Sequence, residues 1–294
     1  MYEELLIEEQ GFSWSLSRES LFAFCPRAYF YHYYGSRGGF EQFSGAELLY
    51  QLKHIQSLNL WLNSICTAVL REFFYENPEN FNIRRAAGRY FHDGMRSVSL
   101  REWRDDPRRL NLFEACYGEA GISELEESGA ELLAKYIDSL TESGVTDYLA
   151  GIPYLKRKIF SFPVSADIDG LKVWLSPALV WEEDGFLKFL TLSGVTPDER
   201  KMRYAGTLHK IYARNVMRIE PEHVVTLNFA LSSGETRTVS DEEINIGEFI
   251  SHIQNSSSEM LGLLTEDSAF EGNFVKNSEN CSKCRFKKYC ESRQ

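Results

Sequence analysis

The segment NCSKCRFKKYC carries three cysteines in the spacing C-x2-C-x5-C, at Cys281, Cys284 and Cys290. A C-x2-C pair sets two thiolates on one tight loop, where both reach a single metal centre, and the third follows within a turn or so of chain. Three thiolates leave a tetrahedral zinc or a cubane cluster one ligand short. Cys25 is the best candidate for the fourth ligand, because in FCPRAYF the proline fixes the local backbone and the surrounding aromatics exclude water. The competing readings are a disulfide or plain buried thiols. An acidic N-terminus with no export signal disfavours the first, and three cysteines within ten mostly polar residues disfavour the second. Cys66 and Cys116 lie on apolar faces and read as core.

The elements that must carry these thiols are legible as periodicities. Arg18–Tyr34 reads as an aromatic-rich helix with Ser17 as its N-cap, and GSRGG at 35–39 ends it. Long helical patterns follow at roughly Gly45–Phe74, stopped by Asn77-Pro78, then at Asn82–Trp103 and Ser123–Leu140. Near Tyr154 the pattern changes to three β-rich runs joined by Asp169-Gly170 and Asp184-Gly185, both strong hairpin signals. Pro197 opens a helix through Arg214. A strand at Val224–Leu231, a turn at Ser233-Gly234, a short strand and a helix at Asp241–Leu264 complete the chain. These patterns predict an α/β (α+β) fold: a helical part over residues 1–150 carrying the first cysteine, and a mixed α/β core over 151–294 with the cysteine tail, together one compact unit.

The motif F-x-x-C-P-R-x-Y, separated by most of the chain from C-x2-C-x5-C, resembles the iron–sulfur branch of the RecB-like PD-(D/E)XK nucleases. That branch includes the CRISPR spacer-acquisition exonucleases and the AddB helicase–nuclease subunit. The order of parts is also similar: a helical first half, three strands, helix, strand, helix, cysteine tail. The resemblance implies a restriction-endonuclease-like mixed sheet. It also implies a 4Fe–4S cluster on Cys25, Cys281, Cys284 and Cys290 that joins the chain ends, with zinc as the alternative metal.

The same resemblance implies a catalytic cage for divalent ions: an aspartate on the second strand, an acid-x-lysine triplet on the third, and a histidine on an N-terminal helix. Those positions fall on Ala178, Leu190, Leu192 and Thr67. Of the family's Q-x-x-x-Y pattern only the tyrosine remains, at Leu208–Tyr212. Hydrocarbon cannot hold a cation, so no catalytic magnesium or manganese is expected and the chain reads as a silent nuclease. The one acid-x-lysine triplet, Glu199-Arg200-Lys201, follows Pro197 and reads as a helix start. The alternative is an active nuclease with a displaced cage drawn from Asp167, Asp169, Glu182, Glu183 or Asp184. A third reading is a zinc-stapled interaction module. The six histidines are dispersed, and there is no P-loop, G-x-S-x-G or G-x-G-x-x-G.

Forty-three acids against 32 bases give a net charge of -11, which argues against a protein that coats nucleic acid over its whole surface. Basic residues concentrate locally: eight arginines and four acids lie between Arg84 and Arg109. Arg84, Arg85, Arg89 and Arg96 are the candidate phosphate contacts, and Tyr29, Tyr31 and Tyr33 either stack on bases or pack the core. The expected partners are DNA, as single strand or duplex end, or a helicase or nuclease subunit in DNA processing, repair or phage defence. No stretch approaches the ~18 apolar residues of a membrane helix, so a cytoplasmic protein is expected.

Overall fold

A computed structural model of the chain describes residues 11–41, 45–76, 80–160, 163–239, 245–264 and 274–292. The expected stop at Asn77-Pro78 and the expected helix start at Asp241 lie outside them. Strand β1 (Ser13–Ser15) leads into helix α1 (Leu16–Phe24), whose N-cap is Ser15 rather than Ser17: the Ser15 side chain accepts the Arg18 N–H. Cys25 then breaks the aromatic helix. Its backbone is extended at φ -167 and ψ 113, because the ring of Pro26 disfavours a helical conformation in the residue before it. Helix resumes as α2 (Pro26–Phe30) and ends in a π-turn over Tyr31–Gly35.

The long helix expected over Gly45–Phe74 is two helices, α3 (Glu47–Lys53) and α4 (Leu58–Tyr75). Between them Gln56 pairs with Leu112 in a parallel bridge, its N–H donating to the Asn111 carbonyl and its carbonyl accepting from Phe113. That tertiary pairing overrides a helical pattern which runs through unbroken in the sequence. Helices α5 (Ile83–Leu100), α6 (Phe113–Cys116), α7 (Ile122–Glu142) and α8 (Val145–Ala150) follow. Together α4, α5 and α7 bury Leu62, Val69, Phe74, Phe91, Ile137 and Leu140 in one apolar core.

The three β-rich runs form four strands: β2 (Val164–Ile168), β3 (Leu171–Leu175), β4 (Leu179–Glu183) and β5 (Phe186–Ser193). The expected second strand, Leu171–Val180, divides at Ser176-Pro177. Proline cannot donate to a ladder, and at this point the chain leaves one sheet for another. The first sheet has the order β1-β3-β2, with β1 parallel to β3; the second runs β4-β5-β6-β7, where β6 is Val224–Ala230 and β7 is Glu235–Thr238. Both expected hairpins form, with positive φ at Asp169, Gly170, Asp184 and Gly185, the pair of left-handed residues a tight two-residue turn requires.

Helix α9 (Glu199–Tyr212) crosses between parallel β5 and β6, and Asp198 caps it by accepting the Lys201 N–H at 2.8 Å. Glu199-Arg200-Lys201 is therefore its first turn. Helix α10 (Ile246–Gly262), a 3-10 segment over Ser278–Lys283 and helix α11 (Lys287–Glu291) complete the described chain. The architecture is mixed α/β with two sheets. Among the described residues no helix is long and apolar enough to cross a membrane.

Candidate metal centre

Cys25, Cys281, Cys284 and Cys290 line one cavity, which also meets Phe24, Tyr31 and Phe286. The break at Cys25 takes its thiol out of helical register and leaves the last carbonyl of α1 unpaired within the helix. The C-terminal tail supplies the missing partners: Asn277 and Asn280 donate their side-chain amides to the Phe24 carbonyl at 3.3 and 2.6 Å. The Asn277 backbone N–H donates to the Cys25 sulfur at 3.4 Å, and Arg27 donates to the Phe274 carbonyl at 3.0 Å.

The tail is held on its other side as well. Arg285 donates to the Lys53 carbonyl at 2.8 Å, occupying the C-terminus of α3, and Tyr117 donates to the Arg285 carbonyl. Phe286, fully buried, packs its ring 5.6 Å from that of Tyr31. These contacts dock both ends of the chain side by side. Burial, together with the Phe286 N–H that opposes it and the other three cysteines, sets the Cys284 thiol, which is pushed up to about 11. Binding a metal there displaces a proton, because a thiol ligates as its thiolate.

Arg27, Lys276 and Lys287 border the cavity, with Glu291 as the one acid among its described residues. Four sulfur donors in an apolar, cation-bordered wall fit a thiolate-ligated metal group by donor chemistry and by charge. Among the described residues no three Cys, His, Asp or Glu side chains stand as a ready cage for a single ion. The six cysteines do not form one group. Cys66 is fully buried in the helical core, its thiol pushed up to about 12 by burial. Cys116, expected in the core, is half-buried at the rim of the cysteine-lined cluster, where its carbonyl accepts Lys288.

The four positions matched to the nuclease cage hold no charge. Ala178 and Leu190 are buried in the helical core, the Ala178 N–H donates to the Leu190 carbonyl at 2.7 Å, and Leu192 packs against the same cluster. Arg71 on α4 binds the carbonyls of Pro177 and Ala178 at 2.8 and 3.0 Å. Thr67, also on α4, spends its hydroxyl on the Asn63 carbonyl one turn earlier. The alternative acids have structural partners. Asp167 accepts the Gly170 N–H in the hairpin, Asp169 and Asp184 occupy turns, Glu182 pairs with Lys158, and Glu183 with Lys188 and Tyr148.

Of the candidate phosphate contacts, all four are exposed on α5. Arg84 pairs with Asp138 and Arg89 with Glu72, whereas Arg85 and Arg96 are joined to no acid among the described residues. Tyr29 and Tyr31 are core residues, and Tyr33 lines a separate cleft between the two sheets. Sequence reasoning misses that cleft and its buried Arg18, because the residues that form it are distant in the chain. No protein-family model matches the chain, and comparisons with curated proteins and with solved structures likewise find no match.

Proposed function

We propose that Cys25, Cys281, Cys284 and Cys290 hold a 4Fe–4S cluster that joins the two ends of the chain, in a catalytically silent nuclease-like protein that binds DNA or scaffolds a DNA-processing partner. The observation that carries this reading is the convergence of four thiols, drawn from positions 25 and 281–290, on one cavity bordered by cations. When bound, such a cluster supplies a structural cross-link and an anionic centre. Arg27, Lys276 and Lys287 complement that charge, the Asn277 N–H is placed on the Cys25 sulfur, and Phe24, Tyr31 and Phe286 keep water away. Zinc would use the same thiolates but needs four sulfurs about 3.8 Å apart around one point, from a Zn–S bond of about 2.3 Å.

Loss of catalysis is supported by the apolar filling at Ala178, Leu190 and Leu192, which offers a cation no ligand. The DNA reading is supported by the exposed arginine face of α5, which can meet a phosphate backbone. Anaerobic purification with iron, sulfide and zinc analysis tests the cofactor: iron and sulfide near four each per chain, with absorbance near 400 nm, is the expected result, and stoichiometric zinc would overturn it. A magnesium and manganese nuclease assay on the same sample tests the silence.

A further inference from the structure

We propose that the cleft between the two sheets is a nucleotide-binding site, with the phosphate on Arg18 and the base against Trp174. Arg18 is only 7% exposed. Its guanidinium donates to the Tyr29 hydroxyl at 3.2 and 3.0 Å, to the Tyr34 hydroxyl at 2.8 Å and to the Ser13 carbonyl at 2.8 Å, and it sits 4.3 Å from the Tyr33 ring centre. Burial pushes the phenols of Tyr29 and Tyr33 up, away from the charged form. No described carboxylate lies within ion-pair distance of Arg18. A buried charge without a counter-charge is expensive, and an anionic ligand is what would neutralise it.

The cleft that Arg18 lines has a volume of about 540 Å³, within the usual range for small-molecule sites, and no acid among the described residues of its wall. Ser15, Leu16 and Ser17 of its wall are the N-cap and first turn of α1, the positive end of that helix. The β1–β3 pairing sets Ser15 directly beside Trp174, so a hydroxyl and an indole are neighbours on adjoining strands. Guanidinium and helix terminus call for phosphate; Trp174, with the Lys172 ammonium 4.2 Å from its ring centre, lines the cleft with an aromatic ring on which a base can stack. This is not the silent cage. Thr191 of β5 lines the cleft, whereas Leu190 and Leu192, on the alternate face of that strand, pack into the helical core.

The choice of a nucleotide rests on the nucleic-acid function proposed for the chain, and the ligand is either a free nucleotide or one unit of a single strand. Binding of labelled dT8 by anisotropy and of dTMP and inorganic phosphate by calorimetry separates the two in the full-length protein. Ser17→Asp and Ser176→Asp put a carboxylate at exposed positions of the cleft without disturbing the core, Trp174→Ala removes the base contact, and Arg85→Glu/Arg89→Glu alters only the α5 face. The expected result is dT8 binding weakened at least tenfold by either cleft carboxylate and severalfold by Trp174→Ala, the cleft carboxylates costing more than the α5 pair. Binding of dTMP alone, with the same sensitivity, also supports the site and assigns it to a free nucleotide. Binding of dT8 lost in the α5 variant and kept in both cleft variants overturns the cleft and leaves the nucleic-acid function standing. If neither dT8 nor dTMP binds, the cleft proposal fails, and a 30-base-pair duplex in the same assay decides whether the nucleic-acid function fails with it. Phosphate binding as tightly as dTMP overturns the base contact.

Discussion

The backbone N–H of Asn277 donates to the sulfur of Cys25 at 3.4 Å, joining points 252 residues apart in the chain. The amides of Asn277 and Asn280 reinforce this join by capping the Phe24 carbonyl, so the tail docks through hydrogen bonds of its own. The cluster proposed at this point would close a loop of nearly the whole chain. In the simple entropy model such a closure restricts the unfolded state by about 5 kcal/mol, although measured links often deliver less. Cys25→Ser should therefore lose bound iron and melt several degrees lower than the parent, up to about 8 °C. Asn277→Ala should keep its iron and lose only about 1–2 kcal/mol, the usual worth of such hydrogen bonds. Equal melting temperatures for Cys25→Ser and the parent would show that the cysteines do not staple the fold.

His209 gives the fold a pH dependence of known sign. It is buried on α9, stacks on Phe189 with ring centres 4.5 Å apart and bonds the Thr226 hydroxyl at 3.0 Å; burial lowers its pKa to about 3. In the unfolded chain an ordinary histidine titrates near 6.5, so between pH 6.5 and 3 the unfolded state holds the extra proton. The contribution of a neutral His209 is thus complete above pH 6.5 and is lost as pH falls toward 3. At pH 5 the loss is about 2 kcal/mol. Denaturant titrations of the parent and of His209→Gln should differ in slope over pH 5–7 by that amount, the glutamine variant being the flatter; parallel curves would mean that His209 is not buried neutral.

How much of this is legible in the sequence depends on how far apart the determinants lie. The break at Cys25 is carried by the next residue, Pro26, and both hairpins by their own Asp-Gly pairs, so each can be read locally. The gap between α3 and α4 cannot, because its cause is a bridge from Gln56 to Leu112, half a domain away. The division of β3 from β4 is half-legible: Pro177 marks it, but which sheet receives β4 is decided by its pairing with β5. Arg18 reads as one more polar residue on a helix until its partners Tyr29 and Tyr34 are placed around it. The cysteine spacing is visible in the sequence, whereas the asparagines and Arg285 that dock the tail act through backbone carbonyls no spacing rule anticipates.

Gly94 on α5 tests the packing of the helical half. A Cβ there would lie 2.2 Å from a ring carbon of Trp61, whose indole stacks on Phe91 with ring centres 5.3 Å apart. Helix propensity favours alanine over glycine by roughly 1 kcal/mol at an interior position. The overlap with a fixed, nearly buried indole wins, since overpacking costs about 1–3 kcal/mol. Gly94→Ala should be destabilised, and Gly94→Ala with Trp61→Leu should recover part of the loss. The control is Gly88→Ala on the same helix, where a Cβ meets nothing within 4 Å, and it should be neutral or stabilising. A stabilised Gly94→Ala would show that Trp61 moves freely.

The last prediction concerns the silent cage. Ala178 and Leu190 are adjacent, buried and apolar, and Arg71 spends its guanidinium on the backbone carbonyls beside them. A carboxylate at either position would be desolvated, and two would repel each other, at a cost of several kcal/mol. Ala178→Asp and Leu190→Asp should each lower the melting temperature by about 5 °C, which corresponds to roughly 3 kcal/mol in a chain of this size. In the double variant, manganese should recover part of that loss, because a cation bound only by the folded state stabilises it by mass action. The parent should show neither manganese-dependent stabilisation nor cleavage of single- or double-stranded DNA. If manganese leaves the melting temperature of the double variant unchanged, these two positions do not face a common site. Cleavage by the unmodified protein that disappears in Asp167→Ala would instead transfer the chemistry to the hairpin acids and overturn the silent reading.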